Sequence, residues 1–172
     1  MRLELAECTI RSWQLEDVPS LAKHANNRNV WLMLRDRMPH PYTLAHAVEH
    51  VRERLEEPDR PMFCIDVGGE AVGGIGLHPG NDVARFNAEL GYWLAEPFWG
   101  RGIMTAAVRA IVRYGFEQLP LNRIEAYVYE TNQSSARVLE KCGFAFEGRL
   151  RKSVVKDAQL LDSLLYATVR DD

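Results

Sequence analysis

The chain has 172 residues, 47% hydrophobic and 26% charged, with a net charge of −3, proportions that predict one globular domain over 1–172 with a continuous core. No apolar run reaches the roughly 20 residues of a membrane span, the acids in MRLELAECTI spoil a signal peptide, and no broad basic surface serves nucleic acid. Cys8, Cys64 and Cys142 are scattered and odd in number, so neither a disulfide framework nor a metal site is expected, and a reducing cytoplasm fits best.

In chain order, CTIRSW alternates as a first strand, and QLEDVPSLAKHANN shows helical spacing through Val18, Leu21 and Ala25. The mixed stretch NVWLMLRDRMPHPY separates it from a second helix. Thr43 is the N-cap of that helix, Leu44, Val48, Val51 and Leu55 form its apolar stripe, and it stops near Pro58. PMFCIDV and EAVGGIGLH read as strands joined by a tight Gly68-Gly69 hairpin, and NAELGYWL reads as another strand. The helix GIMTAAVRAIVRYGFEQL buries Ile103, Ala107, Ala110, Ile111 and Tyr114. RIEAYVY is a strand, QSSARVLEKC a short helix, and FAFEGRLRK and QLLDSLLYATV the last two strands. The order is mixed α/β, with antiparallel strands early and one strand-helix-strand crossover. No repeat or linker divides it.

Three local patterns carry chemistry. HAVEH, residues 46 to 50, matches the inverted zinc-protease motif, but His46 and His50 fall nearly opposite the apolar stripe, which predicts a solvated pair. Cys142 ends an apolar helix with no histidine beside it in sequence, so packing accounts for it better than nucleophilic chemistry. Gly100 and Gly102 open a helix after a strand, where unpaired N–H groups and the macrodipole favour an anion and glycine lets it approach. A dinucleotide is a poor guest: Thr105 replaces the third glycine, five residues separate strand from turn, and too little chain remains for a doubly wound sheet.

AELGYWLAEPFWGRGIMTAA and, some thirty residues on, NQSSARVLEKCGFAFEG together resemble the acetyl-CoA-binding core of the GCN5-related N-acetyltransferases (GNAT). More closely, the chain resembles the subgroup of ribosomal-protein N-terminal acetyltransferases of the RimJ/RimL type. TIRSWQLEDVPSLAKHANN, PHPYTLAHAV and VVKDAQLLDSLLYA extend the resemblance over most of the chain. One departure is Pro97, where the superfamily often has Gln or Arg three residues before the first glycine; the phosphate grip is chiefly backbone, so the motif suffers more than the chemistry.

The resemblance implies a single-domain GNAT fold, with a mixed six- to seven-stranded sheet and about four helices. The strands carrying Glu89 and Glu125 would run parallel and splay apart around acetyl-CoA. The pantetheine amides would pair with backbone at Trp93 and Leu94. The diphosphate would meet the N–H groups of Trp99, Gly100, Arg101, Gly102, Ile103 and Met104, with Arg101 adding charge. Asn132 would hydrogen-bond the pantetheine, although it is equally a good helix N-cap, and Lys141 would reach the 3′-phosphate. Glu89 is the expected general base, its alternative being an ion-paired strand carboxylate. Ser135 is the expected acid, its alternative being a hydroxyl that caps or back-bonds within the helix; Leu139 stands where other branches place a tyrosine, and Val154 stands about where some members carry a second glutamate. Trp31, Met33 and Tyr42, among Arg35, Asp36 and Arg37, would meet the acceptor, the alternative for Trp31 and Met33 being that they only cover the core.

An α-amine with a pKa of about 8 is far more often neutral than a lysine near 10.4, a difference of about 3 kcal/mol in making the nucleophile. The expected function is therefore transfer of an acetyl group from acetyl-CoA to a protein N-terminus. The alternatives are a small-molecule amine acceptor, or a non-catalytic acyl-CoA sensor. No nucleic acid, membrane or metal partner is expected, and a homodimer is allowed for.

Overall fold

The computed structural model describes residues 1–170, so the last two residues of the expected 1–172 domain lie outside the described residues. The elements are β1 (Arg2–Glu4), β2 (Thr9–Arg11), α1 (Val18–Ala25), α2 (Arg28–Trp31), α3 (Leu44–Glu56), β3 (Met62–Val67), β4 (Glu70–Pro79), β5 (Asn87–Leu94), α4 (Ile103–Gln118), β6 (Arg123–Tyr129), α5 (Gln133–Lys141), β7 (Ala145–Lys156) and β8 (Gln159–Val169). The strands hydrogen-bond in the order β1-β2-β3-β4-β5-β6-β8-β7. Eight strands and five helices among the described residues correct the expected six to seven and about four. The additions are β1 and α2, three and four residues long, too short to show a period. Two compact units can be told apart: Met1–Gly76 with Tyr92–Ala107, and Leu77–Gly91 with the chain from Val108 onward.

In the first unit, Trp13, Leu21, Ala25, Tyr42, Ala47, Val51, Cys64 and Ala71 form the core, and Trp93 packs against it. Gly68 and Gly69, both at positive φ (66° and 87°), turn β3 into β4, as a two-residue hairpin of this hand requires. A buried arginine ties the first helix to the sheet: Arg11 holds Asp17 with Nη2 at 2.7 Å from Oδ1 and Asp66 with Nε at 2.8 Å from Oδ2. Both carboxylates raise the affinity of Arg11 for its proton, which burial alone would lower.

Helix α3 is capped as expected, with an unexpected partner. Thr43 Oγ1 accepts the His46 N–H, and His46 Nδ1 accepts the Thr43 N–H at 3.1 Å, so a histidine completes the capping box. Its stripe differs from the sequence reading. Ala47, Val51 and Arg54 are buried while Leu44 and Leu55 are exposed, and His50 packs edge-on against Trp13 at 5.1 Å between ring centroids instead of facing water. Burial chiefly, with Arg54 and Arg37 adding to it, lowers the His50 pKa from 6.5 to about 4, and Glu53 opposes them.

In the second unit, α4 comes close to the sheet at Gly115, where a β-carbon would lie 2.8 Å from Leu77 Cδ1 and 3.0 Å from Ile124 Cδ1. Strand β6 pairs with β8 along its whole length, from Arg123↔Val169 to Tyr129↔Ser163. Its parallel pairing with β5 has only three rungs, Asn87↔Arg123, Ala88↔Ile124 and Glu89↔Glu125.

Candidate active site

The helix-start loop is built from the first unit alone. A short 3-10 turn, Glu96–Phe98, follows β5 and delivers the chain to Trp99 in extended conformation. Gly100 and Gly102 take φ of 74° and 80°, left-handed values that L side chains resist, and nothing lies within 4 Å of where a β-carbon would stand on either. The Gly102 carbonyl accepts the Ala106 N–H at 3.0 Å, which fixes the start of α4. Among the described residues, the N–H groups of Gly100, Arg101, Gly102, Ile103 and Met104 meet no backbone acceptor. They stand at the positive end of a 16-residue helix, beside open space. Such a loop fits a diphosphate.

Three expected cofactor contacts are modified by what the structure shows. The Trp99 N–H donates to the Glu96 carbonyl at 3.1 Å, so the run of donors begins at Gly100. The Leu94 carbonyl accepts the Trp99 indole N–H at 2.7 Å and is occupied on that account. Trp93 buries its indole against Gly74, and its carbonyl faces Gly73 of β4, 2.5 Å from where a β-carbon would be. Strand alternation therefore turns the Trp93 backbone toward β4, and of the predicted pair only the Leu94 N–H points to the other edge of β5. Arg101 is exposed, its guanidinium 5.2 Å from the centre of the Phe98 ring.

The carboxylates belong to the second unit. Glu89 is half-buried on the last parallel rung, directly opposite Glu125, so the two side chains share a face. Arg123 Nε lies 2.9 Å from Glu125 Oε2 and its Nη2 2.6 Å from Glu147 Oε2, while the Tyr127 hydroxyl donates to Glu125 Oε1 at 3.3 Å. Burial first, then Glu125 and Glu89, hold the Tyr127 phenol above its ordinary pKa. The His78 ring faces Gly91, with Nε2 3.5 Å from where a β-carbon would be. Sequence reading missed Tyr127 and Arg123, the two partners of Glu125. The i, i+2, i+4 alternation of Arg123, Glu125 and Tyr127 on β6 was the available signal.

Asn132 caps α5, its side-chain oxygen accepting the Ser135 N–H at 3.2 Å, which leaves Nδ2 as the group able to donate to a pantetheine carbonyl. Ser135 is half-buried in the first turn of α5. Lys141 is exposed at the end of that helix, and its carbonyl accepts from Arg109 Nη2 at 2.8 Å.

Of the two expected aromatic acceptor contacts, only one lies at a surface. Trp31 is half-buried at the end of α2, 5.6 Å from the His40 ring. Tyr42 is a core residue, 5% exposed, with its hydroxyl donating to the His46 carbonyl at 3.4 Å; burial pushes its pKa up to about 12. It packs in the core cluster beside Ala47 and Val51 of α3.

Comparison with known proteins agrees with this geometry. Residues 7–145 match the model of the acetyltransferase (GNAT) domain. A Bacillus subtilis (strain 168) protein named probable N-acetyltransferase YjcK is 38% identical over 127 residues, 73% of this chain and 70% of its own length. Among solved structures, the ribosomal L7/L12 alpha-N-protein acetyltransferase RimL in complex with coenzyme A superposes with a TM-score of 0.85 at 21% identity, covering 98% of both chains. The spermidine N-acetyltransferase of Vibrio cholerae, in complex with CoA and spermine, gives 0.80 at 21% identity, covering 96% of both. The chain belongs to the GNAT acetyltransferase family.

Proposed function

We propose that the chain transfers an acetyl group from acetyl-CoA to a primary amine, most favourably the α-amine of a protein N-terminus. The observation that carries this reading is the run of backbone donors from Gly100 to Met104, opened by two left-handed glycines at the head of α4. The coenzyme A in the RimL and spermidine acetyltransferase structures supports acetyl-CoA as the donor. The donors from Gly100 to Met104 hold the diphosphate and Arg101 adds charge; Asn132 Nδ2 and the Leu94 N–H serve the pantetheine arm, and exposed Lys141 the 3′-phosphate. Glu89 takes the proton from the acceptor ammonium. The freed amine forms the new N–C bond as the C–S bond breaks, and the proton that this leaves on nitrogen is relayed to the departing sulfur by the Ser135 hydroxyl, which gives one proton and takes one. Trp31 meets the acceptor.

A second acceptor class has support of its own. The Glu89–Glu125 pair suits any cationic amine, and one structural neighbour is named for spermidine. A panel of N-terminal peptides and polyamines, with release of the coenzyme A thiol as the readout, separates the two. The reading predicts a kcat/KM at least about tenfold higher for peptides, which is about 1.4 kcal/mol in the barrier. The reverse order makes the enzyme a small-amine acetyltransferase, and no turnover with any amine despite tight acetyl-CoA binding makes the chain a sensor.

A further inference from the structure

Glu96, in the turn just before the glycine loop, is gripped by two asparagines from the far end of its unit's sequence. Asn27 Nδ2 donates to its Oε2 at 2.8 Å and Asn29 Nδ2 to its Oε1 at 2.9 Å, so both carboxylate oxygens are engaged across separations of 69 and 67 residues. Asn27 is also the cap of α2: its Oδ1 accepts the N–H groups of Asn29 at 2.8 Å and Val30 at 3.1 Å. The first turn of α2 and the Glu96 carboxylate are therefore one hydrogen-bonded body.

On its other side Glu96 is joined to the loop. Its carbonyl accepts the Trp99 N–H, one residue before Gly100. Phe98, in the same turn, touches the His24 ring of α1 edge-on at 5.7 Å and carries Arg101 over its face. A three-residue turn with both flanks fixed has little freedom to yield, so order imposed at one flank is felt at the other. The two left-handed glycines make the loop the part of this body with the most order to gain from a bound diphosphate, since glycine is where the backbone has most freedom to lose.

We propose that Glu96 is a positioning residue that couples the hold on the diphosphate to the order of Asn27–Trp31, the segment that brings Trp31 to the acceptor. This rests on the acetyl-CoA reading above. The coupling is reciprocal, so an acceptor that orders α2 also strengthens coenzyme binding. Sequence reading passed over Glu96 because a glutamate before proline looks like ordinary loop composition.

Backbone hydrogen exchange with coenzyme A as the probe tests the proposal without an identified acceptor. In the native chain, coenzyme A should slow exchange several-fold at Gly100–Met104 and also at Asn29–Trp31. In Glu96→Ala the loop should still be protected while the protection at Asn29–Trp31 disappears. Asn29→Ala, a change at an exposed side chain that keeps the Asn27 bond, should give a partial loss of that protection even if the Glu96 variant folds poorly. Protection of the loop with none at Asn29–Trp31 in the native chain would overturn the coupling alone, as would full coupling in both variants. No protection at Gly100–Met104 would overturn the acetyl-CoA reading itself, and the coupling with it.

Discussion

Glu89 is the residue whose chemistry can be isolated most cleanly, because it lies on a strand and not in the glycine loop. Glu89→Gln should lower kcat by about 10²- to 10³-fold while leaving coenzyme A affinity within about twofold, as steady-state rates and calorimetry would record. Equal losses in both would identify a structural carboxylate. A different buried charge answers to stability: Asp17→Ala should cost about 1–3 kcal/mol in urea denaturation, since it strips one of two carboxylate partners from Arg11, which is 7% exposed and keeps Asp66. At this scale the sequence was legible where backbone conformation decides, as at Gly100, Gly102, Thr43 and Asn132. It misled where burial decides. Tyr42 looked like a recognition aromatic and is a core residue, because nothing in the order of residues says which aromatics of a loop turn inward.

Among the elements, α3 holds the most instructive difference. Its true stripe, Ala47, Val51 and Arg54, has correct helical spacing but little hydrophobic weight, and the heavier Leu44 and Leu55 drew the reading round the helix. Val51→Ala should therefore cost about 1–3 kcal/mol, and Leu55→Ser no more than about 0.5 kcal/mol. Gly115→Ala in α4 should destabilise by about 1–3 kcal/mol despite the better helix propensity of alanine, because the new methyl meets Leu77 and Ile124. His50 gives α3 a pH signature. Its folded pKa is depressed to about 4 from 6.5, so below pH 6.5 the unfolded chain takes up a proton that the folded chain refuses. The contribution is present in full above pH 6.5 and is lost as pH falls towards 4, by about 2 kcal/mol after allowance for partial exposure. Comparing His50→Leu with the native chain across that window isolates it: the native stability should fall more steeply.

For the whole molecule, the α/β class and nearly every strand were legible, since alternation, glycine turns and capping residues agree with one another along most of the chain. The parallel pairing of the Glu89 and Glu125 strands and its early end came from the family resemblance, not from local pattern. Where two parallel strands stop pairing depends on register, which no short-range pattern records. Among the described residues, no helix is long and apolar enough to cross a membrane. The central claim is that the donors opened by Gly100 and Gly102 hold the diphosphate of acetyl-CoA, and titration calorimetry with coenzyme A tests it most directly. The native chain should bind one coenzyme A, and Gly102→Val, whose branched side chain opposes a φ of 80°, should bind at least about tenfold more weakly with its circular dichroism unchanged. No heat of binding from the native chain, or equal affinity in the folded variant, would contradict it.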